Sequence, residues 1–408
     1  MTYGEPPIRG LFSAGVTSAD AHGVERTALV VAHHLAGAIR LADVTRLLES
    51  DHRVQLVYTV PPSSLYAAGA VDHVREARAL FMPWERAIQT HFDLAVAAGL
   101  GALERVHAPV MTFAHGAGPN ALVRRREGYG PVAARAVTGL GTQGLVMHGR
   151  VIPAAIMLGH ENQRRLLASQ CPEALPAAVV AGDLCFDRML ASRARRQAYR
   201  NALGAGPGRT LVVVSSHYAA DSLRSRHPDL VSRLVAELPS DEYQLTVILH
   251  PNIWAFHGRK QVISWFDDLF RAGGVLLPPE EGWRAALIAA DVMLSDRGSP
   301  ACYAAALGVP ILLAPYSPED VLPGSQFALL GATSPWLDAR EPLRPQLEAA
   351  MRGHPPTGEL RALLTSVPSG AARMIRRTMY RLLRLDEPSA DPPTDPVPLP
   401  QAPPLPAR

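Results

Sequence analysis

The chain has 408 residues, with 40 Lys and Arg against 37 Asp and Glu, so its formal charge is only +3. That balance disfavours a protein that coats nucleic acid. Hydrophobic residues make up 48% and charged residues 19%, so the chain can bury a core and is not a disordered polymer. Lys260 is the sole lysine among the basic residues; with 37 prolines and 32 glycines, this reads as the codon footprint of a GC-rich genome.

Cys171, Cys185 and Cys302 have no short pairing or metal-ligand spacing, and an odd count suits a reducing compartment without disulfides. The first residues carry an acid and two prolines before any apolar run, so no signal peptide is expected. The run from Ala304 to Tyr316 is 13 residues with a Gly and two prolines, short of the ~20 needed to span a bilayer. A cytoplasmic location is expected.

Short runs rich in Val, Ile and Leu predict strands over Thr27–Ala32, Val54–Thr59, Leu94–Ala98, Val110–Phe113 and Ala154–Leu158. Helical patterns at Leu35–Leu48 and Val71–His91 lie between them. Such alternation predicts a parallel sheet covered by helices on both faces. After an Arg-rich helix expected over Asp187–Leu203 and a turn-forming stretch Gly204–Gly208, the pattern restarts. Strands are predicted at Leu211–Ser215, Leu245–Leu249, Gly274–Leu277, Asp291–Leu294 and Pro310–Ala314, with helices at Leu223–Glu237, Gln261–Ala272, Glu281–Ala290 and Pro300–Leu307.

The fold expectation is therefore α/β: two tandem Rossmann-like, doubly wound domains with a cleft between them. The predicted organisation is an N-terminal arm (1–24), a first Rossmann-like domain (25–180), a junction (181–208), a second Rossmann-like domain (209–370), a basic helix (371–386) and a Pro-rich disordered tail (387–408). Ala371–Leu385 interleaves Arg373, Arg376, Arg377, Arg381 and Arg384 with an apolar stripe. It reads either as a final helix packed on the body or as a peripheral contact with anionic lipid head groups. The tail from Pro388 to Arg408 holds nine prolines.

Chemistry concentrates at the predicted strand ends. Ser295-Asp296-Arg297-Gly298-Ser299-Pro300 follows a strand and opens a helix, with Ser299 as expected N-cap and Pro300 at the first helical position. A helix start of this kind holds a phosphate or diphosphate; an ordinary strand-turn-helix cap is the competing reading. His250-Pro251 stands directly after a strand, where the ring can reach a phosphate or a pyrimidine. Phe113-Ala-His115-Gly116-Ala-Gly118 ends a strand of the first half, and an imidazole there suits a general base for an acceptor hydroxyl. Either histidine reads equally well as a satisfied loop residue. Ser215, Ser216 and His217 are expected as further donors facing the same cleft. Adjacent His33 and His34 lack a third ligand, so no metal site is assigned. No Gly-x-x-x-x-Gly-Lys motif and no Gly-x-Ser-x-Gly elbow is present.

Together with the junction Gly182 to Asp187, these motifs resemble the GT-B nucleotide-sugar transferase architecture. Within it they resemble CDP-glycerol glycerophosphotransferases and, more distantly, UDP-N-acetylglucosamine 2-epimerases. The first family carries a His-Gly strand end, a Gly-x-x-x-x-Asp junction, a His-Pro loop and a Ser-Asp-x-x-Ser loop; here these are His115-Gly116, Gly182 to Asp187, His250-Pro251 and Ser295 to Ser299. The resemblance spans residues 25–370. It implies a transferase that moves a glycerophosphate or glycosyl group from a nucleotide-diphosphate donor to an acceptor hydroxyl, in cell-surface polymer or secondary-metabolite assembly. His115 would be the base; His250, Ser295, Asp296, Gly298 and Ser299 would hold the diphosphate, with no cofactor and no obligatory metal.

One departure stands out. Both families place a carboxylate six or seven residues after the loop Asp, and here those positions are Cys302 and Tyr303. The basic residues that follow His-Gly in the family are also missing, although Arg124–Arg126 lie near in sequence. Two alternatives follow: an epimerase, for which Asp93, Glu161, Glu280 and Glu281 are the candidate carboxylates, and a non-catalytic GT-B-like binding or regulatory protein.

Overall fold

The computed structural model describes residues 8–9, 23–62, 67–123 and 135–401. Most of the expected N-terminal arm, the Arg124–Arg126 cluster and residues 402–408 of the tail lie outside the described residues. The chain divides into two compact units. Unit 1 comprises residues 1–118, 136–184 and 366–394; unit 2 comprises 119–135, 185–365 and 395–408.

Unit 1 is built on a six-stranded sheet of β1 (Arg26–Val31), β2 (Val54–Thr59), β3 (Leu94–Ala97), β4 (Val110–Phe113), β5 (Pro153–Leu158) and β6 (Ala178–Val180). All pairings are parallel, in the order β6-β5-β4-β3-β1-β2. Helices α1 (Leu35–Glu49), α2 (Ala67–Glu76) and α3 (Glu161–Gln170) complete the labelled framework. Successive residues of a strand face opposite sides. Ala28, Val30, Leu94 and Val96 thus join one core with Leu41 and Val44 of α1, while Leu29, Val31, Ala95 and Ala97 join another with Trp84 and Phe92. After β2 the chain crosses to the other side of β1 to form β3, which puts the topological switch point between β1 and β3.

Unit 2 repeats the scheme with β7 (Thr210–Ser216), β8 (Tyr243–Leu249), β9 (Val275–Leu276), β10 (Val292–Ser295) and β11 (Ile311–Leu313), parallel in the order β9-β8-β7-β10-β11. Its switch point lies between β7 and β10. The helices used below are α4 (Leu184–Ala191), α5 (Arg196–Ala202), α6 (Leu223–Arg226), α7 (Leu230–Glu237), α8 (Pro251–His257), α9 (Trp283–Ala289) and α10 (Ser299–Leu307). The architecture is the expected pair of Rossmann-like α/β units.

Several expected helices are shorter, each for a local reason. The pattern over 71–91 stops at Glu76, because Arg78 adopts a left-handed φ of 53° and Pro83 follows; a short helix Trp84–Ala87 and a strand Thr90–His91 take up the rest. Thr90–His91 pairs in parallel with Ile8–Arg9. The pattern over 223–237 divides into α6 and α7 ahead of and beyond Pro228. That over 187–203 divides into α4, a 3-10 turn Arg193–Arg195 and α5, where Ser192 bonds back to the Arg188 carbonyl at 2.8 Å. The pattern over 261–272 likewise becomes Arg259–Ser264 and Asp267–Arg271.

The final helix, Ala371–Leu383, belongs to unit 1: Ile375, Met379, Tyr380 and Leu383 pack into the core shared with α1. Arg373, Arg377, Arg381 and Arg384 are exposed, whereas Arg376 is buried and paired with Glu387 at 2.8 Å. The disordered tail is corrected over residues 387–401. This segment has no regular secondary structure, yet Val397 is 0% exposed, and its backbone receives the Tyr199 hydroxyl at 2.6 Å and gives its N–H to Ser192 Oγ at 2.8 Å. Arg188 donates to the carbonyls of Asp395 and Pro396. Prolines fix extended backbone without requiring a partner strand, and side-chain donors from α4 and α5 satisfy the carbonyls.

Candidate functional sites at the carboxyl edges of the two sheets

In unit 1, β1 ends at Val31, and the chain reaches His33 and His34 before α1 begins. His34 takes extended φ and caps α1, its Nδ1 accepting the Gly37 N–H at 3.0 Å. Its ring stands edge-on to His115 with centroids 5.1 Å apart. Burial first, then the neighbouring imidazoles of His115 and His33, push the His34 pKa down to about 3. His115, two residues past β4, keeps an exposed surface; desolvation first and the charge of Arg40 second hold its pKa below the usual imidazole value. Arg40 on α1 is itself fixed by Asp183 at 3.3 Å, both side chains being nearly buried. Asp183 follows Gly182, whose φ of 89° is the left-handed turn that ends the strand β6. Asp187 sits in the first turn of α4.

His33 is buried beneath Gly99, with Nε2 2.6 Å from the Gly101 carbonyl oxygen. A Cβ on Gly99 would come within 2.8 Å of the His33 ring, so glycine is required where the β3 loop crosses it. The histidine pair was legible only as a failed metal motif; His34 is in fact the ring that meets His115. The missed signal was its place immediately after the first strand, at the switch point.

In unit 2, the loop after β7 is anchored by Asp296 at the end of β10. Asp296 is 3% exposed. Its carboxylate accepts the His217 N–H at 2.9 and 3.0 Å, the Leu223 N–H at 2.7 Å and the Ser216 hydroxyl at 3.0 Å. Burial outweighs these donors, with Asp221 adding to it, and raises the Asp296 pKa to about 6. Ser215, Ser216 and Ser295 are buried as well; the Ser216 hydroxyl also accepts the Arg224 N–H, and Ser295 bonds to the Asp296 carbonyl. The expected diphosphate ligands Ser216, Ser295 and Asp296 therefore spend their side chains shaping the loop, and Ser215 is buried within β7.

The rings that this loop presents are His217 and Tyr218, which cluster with His250 from the end of β8. Centroids are 5.0 Å apart for His217–His250, 4.4 Å for His217–Tyr218 and 4.7 Å for Tyr218–His250. Nδ1 of His217 accepts the Ala219 N–H and Nδ1 of His250 the Asn252 N–H, at 3.2 and 3.1 Å. Each imidazole thus carries its proton on Nε2. Tyr218 had no motif to announce it.

Gly298 rather than Ser299 is the N-cap of α10; Ser299 is its first helical residue, with Pro300 next. Both Gly298 and Ser299 are half-buried at a helix start that favours anions. Cys302 and Tyr303 face the other way: they are 0% and 1% exposed, the Cys302 thiol pKa is pushed up to about 12 by burial, and Tyr303 stacks on Phe186. A carboxylate at either position would lie in the core of unit 2.

Each candidate epimerase carboxylate is engaged by a neighbour within its own unit. Asp93 accepts the Thr27 N–H at the amino-terminal edge of the unit 1 sheet, and Glu161 pairs with Arg164. Glu280 binds Arg259, and Glu281 binds the buried Arg284 at 3.0 Å.

No protein-family model and no curated protein sequence matches the chain. Solved structures do. The wall teichoic acid polymerase TagF, in a crystal soaked with CDPG, is similar to it with a TM-score of 0.57 at 11% identity, covering 90% of this chain and 91% of that one. Another structure of TagF gives 0.55 at 10% identity, covering 90% and 92%. The UDP-GlcNAc 2-epimerase of Neisseria meningitidis bound to UDP-GlcNAc gives 0.48 at 15% identity, covering 88% and 100%. The TagF likeness establishes the GT-B fold.

Proposed function

We propose that the chain is a transferase that moves a glycerophosphate or glycosyl group from a nucleotide-diphosphate donor to an acceptor hydroxyl. The observation that carries this reading is the pair His217 and His250 at the carboxyl edge of the unit 2 sheet. Both have Nδ1 committed to backbone and the proton on Nε2, at the same edge of the sheet as the Gly298-Ser299 start of α10. Such donors suit a diphosphate and the charge that grows on it as the bond to the transferred group breaks.

In the reaction, the imidazole of His115 takes the proton of the acceptor hydroxyl. The acceptor oxygen bonds to the transferred phosphorus or anomeric carbon, while the bond from that atom to the nucleotide breaks and its electron pair leaves on the nucleotide phosphate. A depressed pKa keeps His115 unprotonated near neutral pH, as a general base must be. The GT-B fold supports this reading; the local engagement of Asp93, Glu161, Glu280 and Glu281 weighs against the epimerase alternative.

A second reading, a non-catalytic nucleotide-binding protein, is favoured by Cys302 and Tyr303 lying in the core, where neither can receive a diol. A thermal-shift screen with CDP, UDP, GDP and dTDP at millimolar concentration tests both, because a ligand of the folded state raises the melting temperature. At least one should stabilise the protein. Donor turnover that disappears in His115→Ala supports the transferase; binding without turnover in the wild type supports the second reading.

A further inference from the structure

The loop Ser295 to Ser299 contains one cation that none of the above uses. Arg297 lies between β10 and α10, and its side chain is 18% exposed. Its Nη1 is enclosed and, among the described residues, has no hydrogen-bond partner. The nearest acid is Asp320, with Oδ2 3.9 Å away, too far for a hydrogen bond. The other oxygen of Asp320 is engaged by Arg135, whose Nη2 stands 2.5 Å from Oδ1 and whose Nη1 donates to the Glu319 carbonyl at 2.6 Å. Asp320 is therefore the primary partner of Arg135 and only a distant counter-ion for Arg297.

An enclosed guanidinium nitrogen without an acceptor is costly, and it is relieved by an anion that enters the site. Arg297 stands at the carboxyl edge of the sheet, where open parallel sheets bind ligands. Tyr316, beyond the end of β11, lies close enough to feel its charge. The next residues of the chain open the nine-residue helix α10, whose start favours negative charge. Guanidinium matches the paired oxygens of phosphate in a way that ammonium does not.

We propose that Arg297 is the residue of unit 2 that binds a phosphate of the ligand, with Asp320 as the counter-ion from which it is drawn. This rests on the donor reading above and deepens it by naming the cation that recognises the diphosphate. Arg297 occupies an unspecified position of the Ser-Asp-x-x-Ser loop, and the loop histidines do not supply a permanent positive charge.

The test is calorimetric titration of the full chain with CDP, UDP, inorganic pyrophosphate, cytidine and uridine. Arg297→Gln should weaken CDP or UDP, and pyrophosphate, at least tenfold and leave the nucleosides unchanged. Arg297→Lys should recover part of the loss, and Asp320→Asn should tighten phosphate binding. An Arg297→Gln protein that melts as the wild type does and binds all probes equally well overturns the assignment and leaves the donor reading standing. Pyrophosphate binding that depends on Arg297 without binding of any nucleotide overturns the donor reading and keeps the phosphate site. Wild-type protein that binds none of the phosphates overturns both. If Arg297→Gln does not fold, the Lys and Asp320→Asn variants decide, and unchanged binding in both overturns the assignment.

Discussion

Both carboxylate oxygens of Asp296 receive the backbone N–H of His217, at 2.9 and 3.0 Å, across the switch point of the unit 2 sheet. The acid of the Ser-Asp loop thereby fixes the backbone of the residue that opens the neighbouring loop. Under the proposed donor reading, Asp296 acts on a ligand through the positions of His217 and Tyr218 rather than by contact.

Replacing Asp296 by Asn should cost roughly 2–3 kcal/mol, because an amide nitrogen turns a donor toward backbone donors already there. The pH dependence has a defined sign. With its folded pKa raised to about 6 against ~3.9 in the unfolded chain, Asp296 holds its proton more tightly when folded. Its contribution to stability is therefore greatest below the unfolded value and declines by up to about 3 kcal/mol as pH rises to 6. Urea titrations between pH 4 and 8 should show a flatter profile for Asp296→Asn in this window. An identical slope in both proteins would count against the raised pKa.

Strands were the most legible part of the fold. Val54–Thr59 and Val110–Phe113 coincide residue for residue with their predicted runs; the second does so because a central parallel strand buried on both faces is almost continuously apolar, whereas the first is a half-buried edge strand. Helix ends were less so: Pro228 and Ser192 act on a single turn and leave the wider apolar period intact. At the site, short motifs marked the strand ends, but not which side chains face inward. Asp296 reads as a ligand in sequence and becomes an anchor only because Leu223, 73 positions earlier, folds back onto it. Val397 and Tyr199, 198 positions apart, illustrate the same limit: nothing local in a Pro-rich tail announces a distant acceptor for its backbone.

That tail contact gives a second expectation. Truncation after Thr394 removes the fully buried Val397, worth about 1.5–3 kcal/mol, and strands the Tyr199 hydroxyl, at roughly 1 kcal/mol; Ser192 Oγ keeps its bond to the Arg188 carbonyl. Unit 2 should become less stable by about 2.5–4 kcal/mol. Thermal unfolding of the truncated chain checks this, with Val397→Ser as a milder form; an unchanged transition would mean that the tail contributes nothing.

The C-terminal helix makes a narrower case for lipid contact than its sequence does. Its apolar face is occupied by the unit 1 core and Arg376 by Glu387, which leaves Arg373, Arg377, Arg381 and Arg384 exposed. Binding to anionic vesicles should therefore be purely electrostatic, near 1 kcal/mol per arginine, and lost at high salt. Co-sedimentation with phosphatidylserine vesicles across ionic strength tests it. Binding that survives high salt would require insertion of a face that is already buried.

The arrangement around His115 predicts how activity should respond to acid. A general base works only when unprotonated, so kcat/KM falls as pH drops through its pKa. Because desolvation and the Arg40 charge both depress that pKa, the acid limb should lie below the ordinary imidazole value near 6.5. Arg40→Gln removes the charge and should move the limb to higher pH. Since Asp183 would then be left without its partner at 3.3 Å, Arg40→Gln with Asp183→Asn isolates the electrostatic effect from a stranded carboxylate. His115→Ala should lower kcat/KM by about 10² to 10⁴ and abolish the acid limb. A pH–rate profile unmoved in the double variant would show that Arg40 does not tune His115, and an acid limb that persists in His115→Ala would assign the base to another residue.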